Sequence, residues 1–199
     1  MIKKILSLLL LLSTFAIFHS CGEEVDKSQS SFPVDTSLVS AGYKNEELGV
    51  KLNPPKEWVL TSSEFSEKII ARLSKTRTGY DSFVYIPKVL FYNEVTKAVL
   101  NIGSFKTTTD KSNFTGGFEE YLNSIKIKYH RNEYSNIEVL NNGVKINALK
   151  IDSNNLFSYQ VLFNNRSGNL IRIEYSCRND FKNELIPLIE SSIGTLTLI

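Results

Sequence analysis

The last third of the chain constrains the fold most. Between residues 137 and 177, four runs of alternating apolar residues follow one another with only short polar segments between them. A strand is expected over 137–140, and Asn141-Asn142-Gly143 turns it tightly into a partner over 144–152. Asn154-Asn155 leads into a third run over 156–163, and residues 164–169 turn into a fourth over 170–177. Connections this short join antiparallel neighbours, because a parallel pair needs a crossover of roughly a dozen residues or more. The segment is therefore a four-strand antiparallel meander. A closing helix over about 180–192 places Phe181, Leu185, Leu188 and Ile189 on its inward side, with Pro187 as a source of a kink.

Upstream, residues 47–53 alternate so that Leu48, Val50 and Leu52 share one face of a strand, which Pro54-Pro55 stops. Thr61 and Glu64 are spaced as a capping box for a helix reaching about Lys75, with Phe65, Ile69, Ile70 and Leu73 along one side. Residues 83–86 and 89–92 read as strand interrupted at Pro87, and 95–105 as the returning strand. After a polar loop, Phe118, Leu122, Ile125 and Tyr129 form the buried stripe of a second helix. The order is strand, helix, hairpin, helix, meander, helix. It predicts an α+β domain, an α/β/α sandwich with a mainly antiparallel sheet flanked by helices.

The amino terminus obeys different rules. Lys3 and Lys4 precede a nearly unbroken apolar run over 5–18, which fits a signal-peptide core and falls short of the roughly 20 residues a membrane span needs. Phe18-His19-Ser20-Cys21 resembles a lipobox, the motif of bacterial lipoproteins, in which the cysteine thiol forms the thioether to diacylglycerol. The resemblance implies removal of residues 1–20 and acylation (palmitate among the chains) of Cys21. Two or more acyl chains suffice for stable anchoring, where one does not. Residues 21–40 are expected to be an acylated cysteine and a flexible tether, and 41–199 a single domain. The acidic pair Glu23-Glu24 after Cys21 is similar to the export signal of surface lipoproteins in Bacteroidota. The expected place is the cell envelope, on the outer membrane, facing either the surface or the periplasm.

The stretch Leu48-Gly49-Val50-Lys51-Leu52-Asn53-Pro54-Pro55-Lys56-Glu57-Trp58 resembles the opening phrase of the PsbP-like family, whose members include photosystem II extrinsic subunits. The final strand and the closing Ile189-Glu190-Ser191-Ser192-Ile193 are similar to that family's end. The resemblance implies the α/β/α fold over roughly 43–199 and a binding or assembly role rather than catalysis. It carries over no binding residue.

Composition narrows the chemistry. The formal charge of +2 includes Lys3 and Lys4, so the processed chain is near neutral and has no nucleic-acid footprint. With Cys21 acylated, Cys177 stands alone and no disulfide framework exists. The nucleophile-elbow, zinc-protease, phosphate-loop, dinucleotide and paired-cysteine patterns are missing from the sequence. No cofactor, metal or catalytic residue is expected. Two alternatives remain open. One is a thiol-dependent enzyme using Cys177 and His130, and the other a small-ligand or ion carrier using the 107–117 loop with Asp110. Residues 80–92, rich in Tyr and Phe, are read either as core or as an aromatic docking surface. The favoured expectation is a non-enzymatic accessory or binding subunit, held to the membrane by acylated Cys21 and paired with an envelope protein.

Overall fold

The computed structural model describes residues 31–62, 64, 66–68, 83–107, 117–130, 133–153 and 155–199. The expected signal peptide, Cys21, the polar run to residue 30, the helix beyond Lys68 and loop residues 108–116 lie outside the described residues.

The strands are β1 (Tyr43–Asn45), β2 (Val50–Leu52), β3 (Val59–Leu60), β4 (Phe83–Tyr92), β5 (Val99–Thr107), β6 (Tyr134–Asn141), β7 (Val144–Ser153), β8 (Leu156–Asn164), β9 (Leu170–Arg178) and β10 (Thr197–Leu198). The helices are α1 (Gly117–Lys128) and α2 (Lys182–Gly194). Seven strands form one sheet in the order β3-β4-β5-β9-β8-β7-β6, and β1-β2-β10 form a small second sheet. Every pairing is antiparallel. The meander expected from the turn spacing is the run β6-β7-β8-β9.

Side chains alternate across the large sheet and so feed two cores. On one face, Ile146, Ala148, Phe157, Tyr159, Val161, Ile171, Ile173 and Tyr175 pack with Leu185, Ile189 and Ile193 of α2 and with the small sheet's Val50 and Leu52. On the other, Phe105, Leu149, Ile151, Leu162 and Leu170 pack with Tyr121, Leu122 and Ile125 of α1. With a helix on each face, the molecule is the expected α/β/α sandwich.

Local chemistry explains the departures from expectation. Gly49 adopts φ +67, so residues 46–49 turn and the strand expected from residue 47 begins at Val50. Leu48 is buried all the same. A helical bond from the Ser66 amide to the Ser62 carbonyl starts the first helical turn one residue after Thr61. The Thr61 hydroxyl instead meets Ser66 Oγ at 2.5 Å and the Leu90 carbonyl at 3.1 Å, tying this turn to β4. Strand β4 is continuous, with the interruption at Pro87 appearing as a bulge between Pro87 and Val89. The bulge presses the chain onto β5, where a Cβ on Gly103 would stand 2.2 Å from the Ile86 carbonyl oxygen.

The boundary expected at residue 40 moves upstream. The Phe32 amide donates to Asn141 Oδ1 at 3.3 Å, and the Asp35 amide to Ser191 Oγ at 3.1 Å. The Phe32 ring lies edge-on to Tyr159, its centroid 6.4 Å away. Residues 32–34 cross α2 at Gly194, where a Cβ would sit 2.7 Å from Val34 and 2.8 Å from the Phe32 carbonyl. Residues that read as tether by polarity are held by a glycine that lets the backbones meet.

Candidate functional site

Antiparallel register places five polar side chains side by side on the α1 face of the sheet centre. Asn101 of β5 lies opposite Glu174 of β9, which in turn lies opposite Gln160 of β8. Arg172 and Ser158 are two residues along the same strands, so they point the same way. Helix α1 covers this row, and Tyr121 reaches down into it. The Arg172 side chain is only 14% exposed and that of Glu174 17%.

Glu174 is the acceptor hub. Arg172 Nη2 approaches it at 2.9 Å, Ser158 Oγ donates at 2.8 Å, Gln160 Nε2 at 3.0 Å and Asn101 Nδ2 at 3.2 Å. Arg172 Nη1 donates to the Tyr121 hydroxyl at 3.0 Å, which donates to Gln160 Oε1 at 2.5 Å. The Tyr85 hydroxyl donates to Asn101 Oδ1 at 2.5 Å. Arg172 also lies 3.6 Å over the centroid of the Tyr85 ring, with Phe105 and Tyr121 each at 5.8 Å.

These contacts set the charges. Burial pushes the Glu174 carboxyl up, but the Arg172 charge and the bonds from Ser158, Asn101 and Gln160 outweigh it, so its pKa falls below the ordinary value. Burial favours the neutral form of Arg172, yet Glu174 and the two tyrosines hold it firmly protonated. Burial, opposed by the Arg172 charge, raises the Tyr85 and Tyr121 phenols above their ordinary range. The cluster therefore contains a fixed carboxylate, a fixed cation and two neutral phenols. None is poised to exchange a proton near neutral pH. What the arrangement does is tie α1, through Tyr121, and the Tyr85 side chain of β4 to the sheet centre.

The residues singled out in the sequence are dispersed. Cys177 is 3% exposed, belongs to the α2-side core, and burial pushes its thiol up to about 11 despite nearby Lys182. His130 is exposed just beyond α1, the helix on the opposite face, and its amide donates to Glu133 Oε2 at 2.8 Å. The sheet separates the two, so the dyad is not assembled. Among the described residues no group of three or more His, Cys, Asp or Glu is placed to hold a metal ion. Likewise no helix among them is long and apolar enough to cross a membrane. Of the aromatic residues over 80–92, Phe91 is buried and edge-on to Tyr43, and Tyr85 serves the cluster. Tyr92 is half-buried beneath Lys97, 5.7 Å from its ring centroid.

The sequence reading missed Arg172 and Glu174 because the pattern of β9 reads as apolar-in, polar-out. The available signal was the adjoining Ser158 and Gln160 at the same parity on β8, next to a helix with an apolar stripe that must cover something.

No family model and no curated protein matches the chain. Among solved structures it is similar to the cyanobacterial PsbP (CyanoP) of Synechocystis sp. PCC 6803, with a TM-score of 0.49 and 11% identity. The likeness covers 81% of this chain and 94% of that one.

Proposed function

We propose that this protein is a lipid-anchored bacterial envelope subunit that works by binding rather than by catalysis. The observation that carries the reading is the layout of residues 1–21: two lysines, an apolar run, a small residue and a cysteine. Acylated Cys21 tethers the domain to the outer membrane through the residues before Phe32, whose amide is bonded to Asn141 of the fold. The Arg172–Glu174 cluster supports a scaffolding role, since the Glu174 carboxylate, both Arg172 Nη atoms and the Tyr121 and Ser158 hydroxyls are directed at one another or at Gln160. Recognition then falls to the surface, where Val59, Leu60 and Val95 are exposed large apolar side chains.

The test is metabolic labelling with palmitate in a bacterial host, combined with in-cell crosslinking of the anchored protein. Label is expected in the wild type and lost in Cys21→Ser, with one envelope complex recurring among the crosslinked species. Equal labelling of both proteins overturns the anchor. Turnover of a substrate that survives in Cys177→Ala overturns the non-catalytic reading without touching the anchor.

A further inference from the structure

We propose that β6 is a homodimerisation strand, joining two copies of the chain into one continuous antiparallel sheet. Strand β6 closes one edge of the large sheet, and the opposite edge is the two-residue β3. Its eight residues pair with β7 in unbroken register from Tyr134–Ile151 to Asn141–Val144. Long regular edges are usually blunted by proline, lysine, a bulge or an inward charge. Residues 134–141 hold no proline, lysine or bulge, and their one charge, Glu138, is paired with Lys145 of β7 at 3.0 Å. Residues 135–138 and 140 are all exposed, including Ile137 at 48% and Leu140 at 41%.

The turn fixes which backbone groups face outward. Asn142 and Gly143 both have positive φ, 49 and 76, as a type I′ turn requires. Asn141 and Val144 are then the first hydrogen-bonded pair, and odd-numbered β6 residues spend their backbone groups on β7. Tyr134, Asn136, Glu138 and Leu140 present theirs to the open edge.

The side chains favour a second copy of the same strand. In Tyr134-Ser135-Asn136-Ile137-Glu138-Val139-Leu140 the residues that flank Ile137 are both polar and the two end residues both carry apolar bodies, while Ser135 and Val139 differ. An antiparallel pairing with its two-fold axis at Ile137 sets Ile137 against its twin, Tyr134 against Leu140, Ser135 against Val139 and Asn136 against Glu138. The outward-facing even residues become the hydrogen-bonded pairs, as this register demands. A shift of the axis to Glu138 would oppose two carboxylates, which is destabilising. The result is an isologous two-fold interface.

The test is site-directed disulfide trapping in the full chain. Ile137 would face its twin in a pair without backbone hydrogen bonds, about 4.5 Å apart at Cα, which a disulfide tolerates. Ile137→Cys under mild oxidation is expected to give a disulfide dimer as the main species, with the 137–137 peptide found by mass spectrometry. The parent chain and Leu156→Cys, another exposed position, should give no disulfide dimer through β6. Adding Asn136→Pro removes an outward amide while sparing the bonds to β7, and should abolish the dimer while the far-ultraviolet circular dichroism spectrum stays that of the folded chain. A monomeric Ile137→Cys, a dimer indifferent to Asn136→Pro, or a disulfide to a different protein overturns the proposal.

Discussion

Replacing Glu174 should cost more than replacing Arg172, although the two form one ion pair. In Arg172→Met the carboxylate keeps Ser158, Gln160 and Asn101 as donors, and Tyr121 keeps Gln160. In Glu174→Leu the guanidinium stays buried with only Tyr121 and the aromatic rings, and Asn101 Nδ2 loses its acceptor. Breaking a buried pair by removing one partner costs about 3–5 kcal/mol, and each orphaned donor adds about 1–3 kcal/mol. Glu174→Leu should therefore lower stability by about 4–8 kcal/mol, and Arg172→Met by about 3 kcal/mol, the low end for a broken pair, since its partner stays solvated by fixed donors. The assay is equilibrium urea unfolding at neutral pH followed by far-ultraviolet circular dichroism. Because the folded pKa of Glu174 is depressed, its stabilisation is complete above the ordinary value of 4.5 and is lost as pH falls below that toward the folded value. Glu174→Gln should accordingly flatten the acid limb of stability against pH. Equal costs for the two substitutions, the reverse order, or an unchanged acid limb would refute Glu174 as the hub.

Three further outcomes follow from other parts of the molecule. Gly103→Ala should cost about 3 kcal/mol or more, read by thermal unfolding, because its methyl group meets the Ile86 backbone rather than a movable side chain. Cys177 should resist iodoacetamide at pH 8 while folded and react fully in denaturant, since the thiol is covered and its pKa is pushed up to about 11. Phe32→Ala should cost about 1–2 kcal/mol in urea unfolding, a fraction of a full core truncation, because the ring is only partly buried against Tyr159.

The parts of the fold that the sequence revealed are those set by local rules. Asn142-Gly143 demands a left-handed turn, the short connections after it demand antiparallel neighbours, and the spacing of Phe118, Leu122, Ile125 and Tyr129 demands a covered helix face. Pro87 announced its bulge because proline leaves a ladder position without a donor. What escaped depends on contacts far apart in sequence. Asn101 meets Glu174 across 73 residues, and no periodicity within β5 or β9 encodes that meeting. Phe32 and Val34 looked like tether because their neighbours are small and polar. The feature that holds them, the bare backbone at Gly194, lies at the far end of the chain. The chemical candidates Cys177 and His130 stood out by rarity, a property of composition that carries no information about which face of the sheet each would occupy.

The arm across α2 also decides how the molecule answers a pull. For a protein held at Cys21, tension arriving from the membrane meets in sequence, among the described residues, the contacts of the arm to Asn141, Gly194 and Ser191. Beyond them lie the single bridge between Val39 and Pro55 and the short ladder of β1 on β2. These are few and are loaded one after another, so they peel. The contacts of Phe32 with Asn141 at the end of β6 and with Tyr159 of β8 load the seven-stranded sheet, and those that follow load α2 and the small sheet. In a protein so held, the arm gives way before the body of the fold does and lengthens the leash.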